Sequence, residues 1–231
     1  MNILITGANR GIGLELVRQY AVERWRVFAT CRRPEAADTL AELAAARPEI
    51  SIHRLDVTRS DDLRALAAEL AGAPLDVLYN NAGVYLETHY EGPEPGALRY
   101  DDWMHTLEVN TLGPVRVTEA LVDNVAASRR RLVAVNTSHM GSIADIRQPG
   151  SYYYRSSKAA LNAAMRGLAA ALEPRGIGVL LLHPGGVATR MGPSDGMDTA
   201  ASVTGLRQRI DEYKPSDSGR FLRFDGTEMP W

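Results

Sequence analysis

The chain is poor in the residues that would tie it to a cell exterior, a membrane or a nucleic acid. Among 231 residues there is one cysteine, Cys31. It excludes an intramolecular disulfide and fits a reducing, cytoplasmic setting. No apolar run approaches the roughly 18 residues of a membrane span, and Ile3-Leu4-Ile5 is too short and wrongly flanked for a signal peptide. A formal charge of -2 supplies no basic field for nucleic acid. The five histidines show no metal-ligand spacing; His139 and His183 read as structural. Internal repeats, low-complexity tracts and linkers are lacking too, so 1–231 reads as one domain, large enough to bury a core without staples.

What is present is an alternation of short apolar runs with helical stretches. Residues 2–6, 26–30, 50–55, 75–79, 132–135 and 179–182 read as strands, and 12–23 and 63–70 as helices between them. Thr58-Arg59-Ser60-Asp61 has the spacing of a capping box ahead of the latter. Asp101-Asp102 reads as a helix start rather than an acid pair. Alternation at this spacing implies βαβ units: an α/β, Rossmann-type, doubly wound parallel sheet with helices on both faces. Two stretches resist assignment and read as substrate loops, near 85–102 and 190–205.

Where the first strand gives way to the first helix stands Thr6-Gly7-Ala8-Asn9-Arg10-Gly11-Ile12-Gly13. Glycines there let backbone N–H groups approach a pyrophosphate at the helix N-terminus; the alternative is a glycine-rich turn that binds nothing. A site selective for NAD usually has a carboxylate at the end of the second strand. Here that place holds Thr30, Cys31, Arg32 and Arg33, with Glu35 only beyond a proline. Arginine's planar fork suits a 2′-phosphate, and Arg10 adds a second cation, so NADP(H) is favoured over NAD. Solvated surface charge is the plain alternative.

Tyr154 and Lys158 stand four residues apart, with Ser138 sixteen residues before the tyrosine. On a helix the pair shares one face. A phenol titrates near ~10 unaided, and an ammonium beside it favours phenolate, each unit of lowering being worth about 1.36 kcal/mol. Tyr152 and Tyr153 have serines at the same offset, so Tyr154 alone has the cation. The bland reading is an aromatic ring packed on a lysine stem.

With these residues in place the chain resembles the short-chain dehydrogenase/reductase family over nearly its whole length, most of all its C-factor-like, carbonyl-reductase-like members. The turn from Thr6 to Gly13 matches the family's cofactor turn, which brings in Gly7, Asn9, Arg10, Gly11, Ile12 and Gly13. Asp56-Val57 matches its adenine contact, Asn80-Asn81-Ala82-Gly83 the segment beneath the cofactor, and Pro184-Gly185-Gly186-Val187 with Thr189 the grip on the nicotinamide end. Asn110, Ser138, Tyr154 and Lys158 match the catalytic tetrad. Thr137-Ser138 stands where Ser-Ser is common, which leaves the catalytic second position intact.

The resemblance implies an NADP(H)-dependent oxidoreductase acting on a small carbonyl or alcohol, without a metal. Tyr154 would protonate the developing alkoxide and Ser138 would hold that oxygen. Lys158 would lower the phenol's pKa and bind the nicotinamide ribose, and Asn110 would hold a water that refills the proton. An NADP-binding signalling protein acting through a partner is the second reading. Residues 151–173 read as one helix dominated by small side chains; with the helix of Asn110, relatives use it to form homodimers and homotetramers, and the same is expected here.

Overall fold

The computed structural model describes residues 1–87 and 95–231. Seven strands form one sheet in the order β3-β2-β1-β4-β5-β6-β7, every pair parallel. They are β1 (Asn2–Ile5), β2 (Arg26–Cys31), β3 (Ile50–Arg54), β4 (Val77–Asn80), β5 (Leu132–Asn136), β6 (Gly178–His183) and β7 (Phe221–Arg223). The helices are α1 (Gly11–Val22), α2 (Asp38–Ala45), α3 (Ser60–Glu69), α4 (Tyr100–Leu107), α5 (Gly113–Ala126), α6 (Tyr152–Leu172) and α7 (Thr199–Asp211).

Strands covered on both faces have no polar side to show, which is why the central ones read as unbroken apolar runs. Their side chains nevertheless alternate between two cores. Ile3, Ile5, Ala134, Leu180 and Leu182 face one with α1, α2 and α7, filled by Val17, Tyr20, Leu40 and Leu206. Leu4, Val133, Val135, Val179 and Leu181 face the other with α3, α5 and α6, filled by Leu66, Leu121, Leu161 and Met165. Each such fully buried side chain contributes about 1.5–3 kcal/mol. The order reverses between β1 and β4, and a sheet of this kind opens a crevice there, beyond the strands' carboxyl ends.

Several details depart from the sequence reading. The expected capping box before α3 does not form. Thr58 turns its hydroxyl to Asp56 Oδ1 at 2.7 Å, and α3 starts from Arg59 with no side-chain cap. The carboxylate of Asp62 instead accepts the N–H of Asp56 at 2.9 Å, so the helix start secures the end of β3's loop rather than itself. β7 was not anticipated, because three residues carry too little periodicity to read. Asp101 and Asp102 do lie in the first turn of α4. Of the loop expected near 85–102, residues 88–94 lie outside the described residues. The stretch at 190–205 is irregular only as far as Asp198, which accepts the N–H of Ala201 at 3.0 Å and caps α7. Among the described residues no helix is long and apolar enough to cross a membrane.

Candidate active site

The crevice is built from the carboxyl ends of β1, β4, β5 and β6, and a hydrogen-bonded net of side chains joins them. Thr6 Oγ1 accepts the N–H groups of Asn81 (2.9 Å) and Ala82 (3.0 Å). Asn81 Nδ2 donates to the carbonyls of Thr6 (2.9 Å) and Gly7 (3.1 Å), which pins the glycine turn to β4. Asn136 Nδ2 donates to Asn81 Oδ1 (2.7 Å), and the buried Tyr79 hydroxyl donates to Asn136 Oδ1 (2.8 Å). Buried polar groups persist where each finds a partner, and here they register three strands against one another. Sequence reasoning missed Asn136; the signal was an amide closing an otherwise apolar strand just ahead of Thr137-Ser138.

Gly13 is required by close approach. A Cβ there would fall 2.3 Å from the Gly7 carbonyl oxygen and 2.5 Å from Asn81 Nδ2, so α1 could not seat against the turn. Gly11, at φ 52°, adopts the left-handed conformation that glycine tolerates, with the Thr189 side chain 3.5 Å from the position of its missing Cβ. That contact brings the segment after Pro184, Gly185 and Val187 across to the start of α1. Asn9 lies in the turn, Arg10 occupies the N-cap position of α1, and Ile12 packs against the core.

One flank of the turn is strongly cationic. Burial holds the Arg10 guanidinium below its ordinary pKa, and the charges of Arg190 and Arg32 push it the same way. Like charges held together favour an anion, even though Arg32 also faces the Asp56 carboxylate. Arg33 is not among the charges that act on Arg10. Arg190 was not foreseen, because nothing local in the sequence brings it to a turn 180 residues earlier. Asp56 is also shifted. Burial pulls its carboxyl upward, but hydrogen bonds from the Thr58 hydroxyl and N–H, with the charges of Arg32 and Arg59, hold it below the usual range. Val57 packs against Gly113 at the head of α5.

The four expected catalytic side chains converge beside this turn. Between α4 and α5 the chain passes through a π-helical stretch, Glu108–Leu112, a distortion frequent at functional sites. It carries Asn110 into the interior, fully buried. Asn110 Oδ1 accepts the Val84 N–H (2.8 Å), while Nδ2 donates to the Val84 carbonyl (2.8 Å) and to Ser157 Oγ (3.0 Å). Gly83 lies between, the position of its missing Cβ being 3.2 Å from Asn110 Oδ1 and 3.9 Å from Lys158 Nζ. Ser138 follows β5, extended, and accepts the Met140 N–H at 3.1 Å. The Ser138 side chain faces the Tyr154 phenol closely enough to favour its ionised form.

One expectation is corrected here. Lys158 was to lower the phenol's pKa, but its Nζ lies 5.6 Å from the Tyr154 ring centroid and donates to the Asn136 carbonyl at 2.9 Å. Burial instead pushes Tyr154 up to about 12, against the Ser138 side chain that favours phenolate and with Tyr85 adding to the rise. Tyr154 keeps part of its surface, so this desolvation is crowding of protein around the phenol rather than full removal from water. Lys158 is 4 % exposed, and burial lowers its ammonium to about 8. The histidines behave as structural groups: His139 and His183 pack at 4.9 Å, and burial lowers both. Among the described residues no cluster of His, Cys, Asp and Glu could hold a metal.

A doubly wound parallel sheet with a glycine turn at its switch point, facing a Ser-Tyr-Lys cluster, defines a dinucleotide-fold oxidoreductase. The family model for short chain dehydrogenase matches residues 1–199, and the chain belongs to that family. The C-signal protein of Myxococcus xanthus is 43 % identical over 172 residues, covering 73 % of this chain and all of that protein. The carbonyl reductase Sniffer of D. melanogaster superposes with a TM-score of 0.92 at 33 % identity, covering 100 % of this chain and 99 % of its own. An NADPH-bound carbonyl reductase from chicken fatty liver does so with a TM-score of 0.91 at 31 % identity, covering 100 % and 98 %.

Proposed function

We propose that this oxidoreductase uses NADP(H) to interconvert a small carbonyl compound and its alcohol, with Tyr154 as the proton donor and acceptor. The observation that carries this reading is a Tyr154 phenol that shares a helix face with Lys158, 5.6 Å from its Nζ, and is acted on by the Ser138 side chain, beside a glycine turn flanked by arginines.

The residues present fit the cofactor. The glycine turn leaves room for a pyrophosphate at the head of α1, and the cluster of Arg10, Arg32 and Arg190 suits a 2′-phosphate, the group that separates NADP(H) from NAD. Gly7, Asn9, Arg10, Gly11, Ile12 and Gly13 would hold the phosphates, and Asp56 and Val57 the adenine. Asn81, Ala82, Gly83, Tyr154, Lys158, Pro184, Gly185, Val187 and Thr189 would line the nicotinamide end. When bound, the cofactor supplies or takes up the hydride.

The protein's own part is placement and proton movement. Ser138 donates to the carbonyl oxygen and keeps it within reach of Tyr154, where negative charge develops. Tyr154 passes its proton to that oxygen. A phenol held up at about 12 keeps its proton at neutral pH until the more basic developing alkoxide takes it. Lys158, lowered to about 8 by burial, is poised to shuttle a proton as well as to bind a ribose hydroxyl. Asn110 secures the Val84 backbone beside Lys158 and is assigned the water that refills the relay. The stretches 85–102 and 190–198 are assigned to the substrate.

The test is NADPH oxidation across a panel of aldehydes and ketones. Tyr154→Phe should reduce kcat roughly a hundred- to ten-thousandfold, the usual worth of general acid catalysis, while NADPH affinity stays within about threefold. A Tyr154→Phe enzyme with most of its activity would overturn the assignment. The signalling reading is not favoured, since binding alone requires no such Ser-Tyr-Lys cluster. We further propose assembly as a homodimer or homotetramer through α6 and the helical segment that carries Asn110.

A further inference from the structure

The start of α6 is not secured by its own sequence. The first N–H groups of a helix lack intrahelical partners, and a serine at the N-cap ordinarily supplies one. Ser151 stands at that position but makes no cap bond. It sits at φ 54° directly after Gly150 at φ 91°, a left-handed conformation that is costly for a residue with a side chain. Its Oγ is turned away, 2.5 Å from the Tyr85 hydroxyl. A strained, uncapped helix start persists only where the surroundings fix it.

The fixing group comes from 66 residues earlier in the chain. Glu87 Oε1 accepts the Tyr153 N–H at 3.0 Å and Oε2 accepts the Tyr154 N–H at 2.8 Å. A carboxylate is well placed there, because the N-terminal end of a helix carries the positive end of its dipole. Two residues before it, the Tyr85 ring stacks on the Tyr154 ring, centroids 4.5 Å apart and planes 30° from parallel. Tyr154 is therefore gripped twice by one short segment, at its main-chain N–H and at its ring, while its hydroxyl meets Ser138. The same segment continues from Asn81-Ala82-Gly83, which is tied to the glycine turn.

We infer that Glu87 is a positioning residue for the reaction: it holds the first turn of α6 so that the Tyr154 phenol stays in register with Ser138. Glu87 touches none of the reacting atoms and acts through Tyr154, so the inference rests on the proposed role of that phenol. Displacement of a catalytic group by about 1 Å costs on the order of a hundredfold in rate. Loss of both acceptors should therefore show in kcat and in proton transfer rather than in cofactor binding.

The experiment compares Glu87→Ala and Glu87→Gln with the unmodified enzyme, on the best substrate of the carbonyl panel. Glu87→Ala should lower kcat roughly ten- to a hundredfold, with the NADPH dissociation constant within twofold. The solvent isotope effect on kcat should rise as proton transfer becomes slower. Glu87→Gln, which keeps one acceptor, should fall between the two. Amide exchange at Tyr153 and Tyr154 should quicken at least tenfold in Glu87→Ala, while that of Met165, deeper in α6, stays unchanged. On a Tyr154→Phe background, Glu87→Ala should alter the residual rate less than twofold.

A Glu87→Ala enzyme with unchanged kcat overturns the inference. So does an equal loss with and without the phenol, or a loss matched by weaker NADPH binding, which would mark Glu87 as a general structural tie. Full activity in Tyr154→Phe alone would instead strike the parent assignment and take this one with it.

Discussion

Burial shifts the two groups that share the catalytic face of α6 in opposite directions, and the signs can be read in stability. Lys158 is lowered to about 8 from 10.5, so between those values the unfolded chain binds more protons, and stability rises with pH. Tyr154 is raised from 10.0 to about 12, so above pH 10 the folded chain holds the extra proton, and stability falls. Urea midpoints should climb from pH 8, peak near 10 and then decline. Lys158→Met should flatten the climb and leave the decline. The cationic flank makes a second prediction at this scale. Arg32→Asp should erase or reverse a preference for NADPH over NADH, and Arg190→Ala should weaken NADPH at least fivefold with less effect on NADH, measured by fluorescence titration at fixed salt. Equal affinities for both cofactors in the unmodified protein would sink the 2′-phosphate assignment. Arg10, Arg32, Ser138, Tyr154 and Lys158 could be named from local spacing, and Asn110 only from the family resemblance. Arg190 and Glu87 could not, because each acts across tens of residues on a partner that only the fold supplies, and Asn136 left only the faint signal of an amide closing an apolar strand.

Among the elements, α6 was the most legible. The sequence reading placed it at 151–173, and it runs Tyr152–Leu172. Its length and periodicity outweighed the poor cap at Ser151. The π-helical stretch at Glu108–Leu112 had no such signal, since five residues are too few to tell its period from that of an α-helix. The cap of α3 was misread because Thr58 had a nearer acceptor in Asp56. Along α6, Leu161, Met165 and Ala169 turn inward, whereas Ala163, Gly167, Ala170 and Ala171 are exposed. If that small-residue face mates with a second copy, light scattering at micromolar concentration should give at least twice 25.2 kDa. Ala163→Arg should return the particle to the single-chain mass while the far-ultraviolet dichroism stays the same. A single-chain mass for the unmodified protein would refute the proposal.

For the whole molecule, alternation of strand and helix was enough to state the class, but not the order of the strands. β1 pairs on one side with β2, in the register Ile3↔Val27, and on the other with β4, in the register Ile3↔Val77. The second pairing spans more than seventy residues, and Ile3, Leu4 and Ile5 are fully buried when it is complete. During synthesis the opening strand therefore leaves the ribosome long before its inner neighbour exists. Until Val77–Asn80 arrives, it presents an unpaired apolar edge of the kind that recruits other chains. The strand that leads into the cofactor turn is thus made more than seventy residues before its inner edge is covered, so prompt docking of β4 on β1 shortens the time that edge stands open.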